Sequence, residues 1–249
     1  MKLARVNGCS RPCRRSSRWG AALVLLVFPL AAPAQDKSVH PGANQKYFDQ
    51  ELSVWKNVFE DASREIVVRR RDILGALDLQ PGMTVADIGA GTGLFTFPFA
   101  KAVGPRGKVY AVDIVPKFVA HIKAQKKRRR ADNVVVLLGK ERDVPLPEES
   151  VDLLFLCDVY HHVEYPRDMN RSLFRVLRPG GALVVIDFKR VPGRTSKHIL
   201  EHVRAGAEQV IQEIESSGFE KVAELPLLEQ NYFIRFRKPP APPEPGQGM

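Results

Sequence analysis

Cysteine is scarce: three in 249 residues, and two of them, Cys9 and Cys13, fall in the first 34. Without that stretch only Cys157 remains, so an internal disulfide is excluded. Acidic residues are missing from residues 1–34 altogether, where six bases stand alone (Lys2, Arg5, Arg11, Arg14, Arg15, Arg18). Setting those six aside leaves 32 bases against 28 acids, a net +4, and nucleic-acid binding is not expected from so mild an excess. No internal repeat is present. The longest apolar run, Gly20–Ala32, is too short to cross a ~30 Å hydrocarbon core comfortably.

What is present at the N-terminus is an ordered leader. A basic stretch precedes Gly20–Ala32, and Ala32-Pro33-Ala34 supplies the small residues of a signal-peptidase site. Residues 1–34 are therefore expected to be a signal peptide and the mature chain periplasmic. The alternative is an uncleaved leader, the one expected membrane contact, anchoring the chain to the inner membrane. Arg14-Arg15 would suit twin-arginine export, but Ser16-Ser17-Arg18 continues it poorly, and the unbroken apolar run argues against an organellar transit peptide.

Residues 35–80 read as a helical cap, with apolar groups at helical spacing (Trp55, Val58, Phe59, Ala62, Ile66, Ile73) in one or two helices ended by Pro81-Gly82. Over 81–238 strands and helices alternate. Strands are expected at 83–88, 107–114, 133–138, 151–157 and 182–188, the last after a turn at 178–181, and then near 221–228 and 231–237. Helices are expected at 94–103, 117–127 and 167–177, with a single long one at 197–217. Continuous apolar strands separated by helices indicate an α/β fold with a mostly parallel sheet covered on both faces. The end, 239–249, is Pro-rich and expected to be disordered. The run Lys126–Arg130 has no aromatic interleaved to stack a base and reads as a solvated helix end.

The strongest chemical signal is Asp87-Ile88-Gly89-Ala90-Gly91-Thr92-Gly93, a strand running through a glycine turn into a helix. Glycines let a ligand lie against the main chain, and a free helix N-terminus offers N–H groups. Twenty residues after Gly93, at the end of the second strand, Asp113 is placed to accept hydrogen bonds from a ribose diol. A dinucleotide fingerprint would need a glycine where Leu94 stands, and Asp87 would oppose a pyrophosphate. Asp87 suits instead a ligand ending in an ammonium, as S-adenosylmethionine does.

The segments 87–93, 110–114, 151–166 and 177–188 resemble the successive motifs of class I S-adenosylmethionine-dependent methyltransferases, over about residues 48–237. Asp-Val-Tyr-His-His (158–162) and the later His202-Val203-Arg204-Ala205 resemble a bacterial, exported subgroup of small-molecule type. The resemblance implies a Rossmann-like seven-stranded sheet with an antiparallel last strand, and cofactor contacts from Asp87, Gly89, Gly91, Gly93 and Asp113. Asp158 is expected on the same side. Many relatives carry Asp-Ala after the third strand; here Lys140-Glu141-Arg142 follows Gly139, leaving Glu141 to stand in at the adenine. The expected activity is methyl transfer to a small molecule. Alternatives are a degenerate adenosyl-binding protein, or a methyltransferase acting on a protein or lipid at the membrane. A single mature cysteine disfavours an arsenite-type acceptor site, which needs several thiols.

Tyr160, His161 and His162 follow the fourth strand, at the sheet edge where ligands of open α/β folds bind, and are the catalytic candidates. One histidine could serve as base, or merely pack on the cofactor or cap the next helix. Glu60, Arg64, His202 and Arg204 are the substrate-pocket candidates, with surface ion pairing the plainer alternative. No metal is expected: His198 and His202 share a helix face, but with Glu164 they lack a third ligand at a diagnostic spacing.

Overall fold

The structure, a computed structural model, describes residues 35–241. The expected leader and all but the first three residues of the Pro-rich tail lie outside the described residues. Four short helices open the described chain: α1 (Gln45–Asp49), α2 (Leu52–Phe59), α3 (Glu65–Val68) and α4 (Arg70–Ala76). Then follow β1 (Thr84–Ile88), α5 (Thr96–Val103), β2 (Lys108–Asp113), α6 (Pro116–Arg129), β3 (Val134–Leu138) and β4 (Val151–Cys157). A single 3-10 turn over Tyr160–His162 leads to α7 (Pro166–Val176) and β5 (Leu177–Phe188). The chain closes with α8 (Lys197–His202), α9 (Ala207–Glu215), β6 (Glu220–Glu224) and β7 (Asn231–Arg237).

The seven strands form one sheet in the order β3-β2-β1-β4-β5-β7-β6, and β7 runs antiparallel to both of its neighbours. The strands alternate their side chains between two cores, as a period of two requires. In β4, Leu153 and Phe155 face a layer with Ile73, Phe99 and Ile122, whereas Leu154 and Leu156 face one with Leu173, Val176, Val210 and Ile214. Helices α4, α5 and α6 thus cover one face and α7 and α9 the other. Pro98 causes no break in α5 because it is the helix's third residue, where backbone N–H groups have no intrahelical acceptor.

Three local expectations are corrected. The cap is four helices rather than one or two, because Gln50 is extended (φ −90°, ψ 157°), Arg64 likewise (φ −71°, ψ 131°), and Arg69 leaves the helical region (φ −90°, ψ 13°). The expected turn at Arg178–Gly181 lies inside β5 as a bulge: Leu177 pairs with Val151, and the register resumes at Ala182 opposite Leu153. The expected long helix over 197–217 is two helices. Val203 is extended (φ −83°, ψ 111°), and Val203 and Ala205 are both buried in the intervening link. Among the described residues no helix is long and apolar enough to cross a membrane.

Candidate active site

The sequence places a small-residue turn where β1 meets α5, and the turn depends on glycine at two positions. Gly89 has φ +70° and a Cβ there would lie 2.6 Å from the Val159 side chain; Gly91 has φ +54° and a Cβ there would approach Phe59 at 3.2 Å. The turn therefore presents bare backbone to a cavity that opens to solvent. Its wall includes Asp87, Gly89, Gly91, Asp113, Glu141 and Asp158, together with Arg64 and His162. Gly93 is not part of that wall: its φ of +85° favours glycine, and a Cβ there would press on the Phe97 ring of α5 at 3.1 Å.

Two buried carboxylates bracket the turn. Asp113, at the end of β2, accepts the Gly91 N–H (2.8 Å) and the Val115 N–H (2.9 Å), which holds the turn against the strand end. Asp87 accepts from the Thr96 hydroxyl at 2.6 Å. Burial pushes the Asp87 carboxyl up to about 7 and that of Asp113 up to about 6. The folded chain then holds protons that the unfolded chain has lost, so its stability falls as pH rises from about 4 to about 7 through these two groups. An ammonium ligand beside Asp87 reverses this by favouring the carboxylate. Thermal unfolding of the ligand-free chain at pH 5 and pH 7.5 checks it: Asp87→Asn is expected to flatten part of the decline, and an identical pH profile would contradict it.

The N-terminal helices form the roof. Tyr47, Trp55 and Phe59 from α1 and α2 pack with Phe118 of α6, with ring centroids 4.4 Å apart for Tyr47–Trp55 and 5.6 Å for Phe59–Phe118. Arg64 reaches under this roof to Asp158 at 2.6 Å, and Asn231 donates to the other Asp158 oxygen at 2.6 Å. Burial raises the Asp158 carboxyl, and the Arg64 guanidinium works against that rise.

Past β4, the residues of the 3-10 turn point in different directions. His162 reaches the cavity wall, its Nε2 2.8 Å from the Tyr47 hydroxyl, and burial holds its ring neutral. His161 lies behind it, with Nδ1 2.7 Å from the buried Asp187 carboxylate, which also accepts the His161 N–H at 3.0 Å. Tyr160 is fully buried away from the cavity, donating to Glu213 at 3.1 Å and accepting from Asn170 at 2.7 Å.

The substrate-pocket candidates separate likewise. Arg64 lies in the wall. Arg204 does not: it forms a two-pronged ion pair with Glu213, both bonds 2.8 Å, in the link between α8 and α9. Glu60 is exposed at the end of α2. His202 sits beside His161 and His162 with ring centroids 5.0 Å from each, and Lys46 Nζ is 3.4 Å from its Nε2. Glu164 does not join His198 and His202, being engaged by Ser38 at 2.8 Å and Asn44 at 3.5 Å. Sequence reasoning missed Tyr47 and Asp187. The second had a signal, a lone acid inside the apolar strand Ala182–Phe188.

Residues 86–185 match the family model described as Methyltransferase domain. The chain is 30% identical over 164 residues to an arsenite methyltransferase of Halobacterium salinarum, covering 63% of this chain and 42% of that protein. It is 34% identical over 119 residues to a ubiquinone/menaquinone biosynthesis C-methyltransferase of Ectopseudomonas mendocina, covering 46% of this chain and 45% of the relative. The chain thus spans less than half the length of these two relatives. A solved S-adenosylmethionine-dependent methyltransferase from Aquifex aeolicus superposes with a TM-score of 0.69 at 27% identity, over 76% of this chain and all of that one.

Proposed function

We propose that this chain, whose residues 86–185 are a class I methyltransferase domain with S-adenosylmethionine as its cofactor, methylates a small molecule held between the glycine turn and the aromatic roof. The observation that carries the proposal is one continuous cavity. It runs from Asp87, Gly91 and Asp113 to Arg64, Tyr47 and His162. Asp113 would take the ribose diol, Asp87 the ammonium and Glu141 the adenine edge, with Gly89 and Gly91 allowing contact with the main chain. The cofactor supplies an electrophilic methyl on sulfur.

Transfer from a sulfonium asks for alignment and a dry pocket, since charge disperses as the methyl moves. The roof of Tyr47, Trp55 and Phe59 excludes water, and His162, held by Tyr47, positions the acceptor. With its ring kept neutral by burial, His162 serves as a hydrogen-bonding wall. The test is a screen of a small-molecule extract with the full chain and labelled methyl donor, comparing wild type with His162→Ala. Label should enter a small molecule, and the variant should lose about 10²-fold in kcat/KM at unchanged cofactor affinity. Label entering only protein or lipid, or lost cofactor binding in His162→Ala, would overturn this assignment.

Export is part of the same proposal. It is supported by the composition of residues 1–34 and by how firmly Gln35 is engaged. The Gln35 N–H donates to Asp168 at 3.0 Å, and its carbonyl accepts from Arg142 at 2.7 Å. A chain cleaved after Ala34 would place its new ammonium on the Asp168 carboxylate. Mass spectrometry of protein from the native envelope is expected to give a chain starting at Gln35, whereas an intact Met1 terminus in a cytosolic fraction would reject the leader.

A further inference from the structure

We propose that His161, His162 and His202 form a binding site for a divalent cation of the zinc class, beside the cavity and sharing His162 with its wall. One ring nitrogen from each of the three lies within 4.8 Å of the others. The ring centroids are 4.1 Å apart for His161–His162 and 5.0 Å for each ring to His202. Three imidazoles gathered on a tetrahedral ion at about 2.0–2.1 Å have centroids about 5 Å apart, so turning the rings brings their lone pairs together.

The partners of each ring fit a ligand. His161 has Nδ1 on the buried Asp187 carboxylate, which leaves Nε2 as the electron-pair donor. A carboxylate behind an imidazole is the usual support of a metal-bound histidine, fixing its tautomer and orientation. His162 has Nε2 on the Tyr47 hydroxyl, and its buried Nδ1 has no hydrogen-bond partner among the described residues. A buried nitrogen left unpaired costs free energy, and an ion on that nitrogen removes the cost. His202 closes the set from α8, half-buried, with the His198 ring stacked on it and the Lys46 ammonium 3.4 Å from its Nε2. The flexible Lys46 side chain gives up its place when a cation enters. Neutral imidazole donors select zinc, nickel, copper or cobalt over the oxygen-seeking calcium and magnesium. The fourth position is left to water.

The test titrates Zn²⁺ alone into the purified full chain against a competing chelator, and records the visible spectrum with Co²⁺. Wild type should bind one tight Zn²⁺ per chain and give the absorption of four-coordinate cobalt. His202→Ala should weaken binding at least about tenfold with thermal unfolding unchanged, because its ring is half-exposed. His121→Ala, on α6, should bind as wild type. Lys46→Met should bind more tightly, since an opposing ammonium is gone. Absence of saturable binding, a six-coordinate cobalt spectrum, equal affinity in His202→Ala, or weaker binding in Lys46→Met would each overturn the site.

Discussion

Arg204→Ala should destabilise the chain by about 1.5–3 kcal/mol, the loss of charged hydrogen bonds in a partly buried pair. Its side chain is 7% exposed, and both guanidinium prongs are on Glu213, which also accepts from Tyr160. Asn170 extends the network by donating to the Tyr160 hydroxyl and to the Glu213 carbonyl. Removing Arg204 leaves the Glu213 carboxylate to Tyr160 and Gln209, without its ion-pair partner. A double change, Arg204→Met with Glu213→Leu, should recover most of the loss, because an apolar pair of similar volume needs no compensating charge. Glu60→Ala, at an exposed position, should stay within about 0.5 kcal/mol. Urea unfolding of the three variants reads this, and a loss under about 0.5 kcal/mol for Arg204→Ala would contradict a structural role for the pair.

Asp113→Ala should raise the dissociation constant for S-adenosylmethionine by about 10- to 150-fold, or about 1.5–3 kcal/mol for a charged hydrogen bond. The carboxylate plays two parts. It faces the cavity where a ribose would lie, and it ties down the Gly91 and Val115 N–H groups. The second part explains why the loss should exceed that of Glu141→Ala: Glu141 is exposed at the wall. Gly91→Val should also fail, because its φ of +54° disfavours a β-branched side chain and Phe59 stands in the way. Calorimetric titration separates these variants, and an Asp113→Ala affinity equal to wild type would remove the ribose from this position.

Much of the fold was legible because its signals are local. β3 and Leu153–Cys157 of β4 are unbroken apolar runs, and Asp87–Gly93 carries its turn in its own glycines. The break at 203–206 was not legible, since Val203, Val210 and Ile214 keep helical spacing across it. What interrupts the helix is tertiary: Val203 and Ala205 are drawn into the core while Arg204 turns to Glu213. The direction of the three residues after β4 was hidden for a similar reason. Tyr160, His161 and His162 are consecutive, and only the 3-10 turn decides that one faces Glu213, one Asp187 and one the cavity. The meeting of His202 with His161 and His162 joins segments forty residues apart, which no spacing within either segment encodes.

Calorimetric titration of S-adenosylmethionine into the full chain and into Asp87→Ala tests the central claim most directly. The wild type should bind one cofactor per chain, with protons released near pH 6.5 as the Asp87 carboxyl ionises against the ammonium. Asp87→Ala should bind at least about tenfold more weakly, a difference of roughly 1.4 kcal/mol, and release fewer protons. Equal affinity in both proteins, or no binding by the wild type, would contradict a cofactor seated between Asp87 and Asp113.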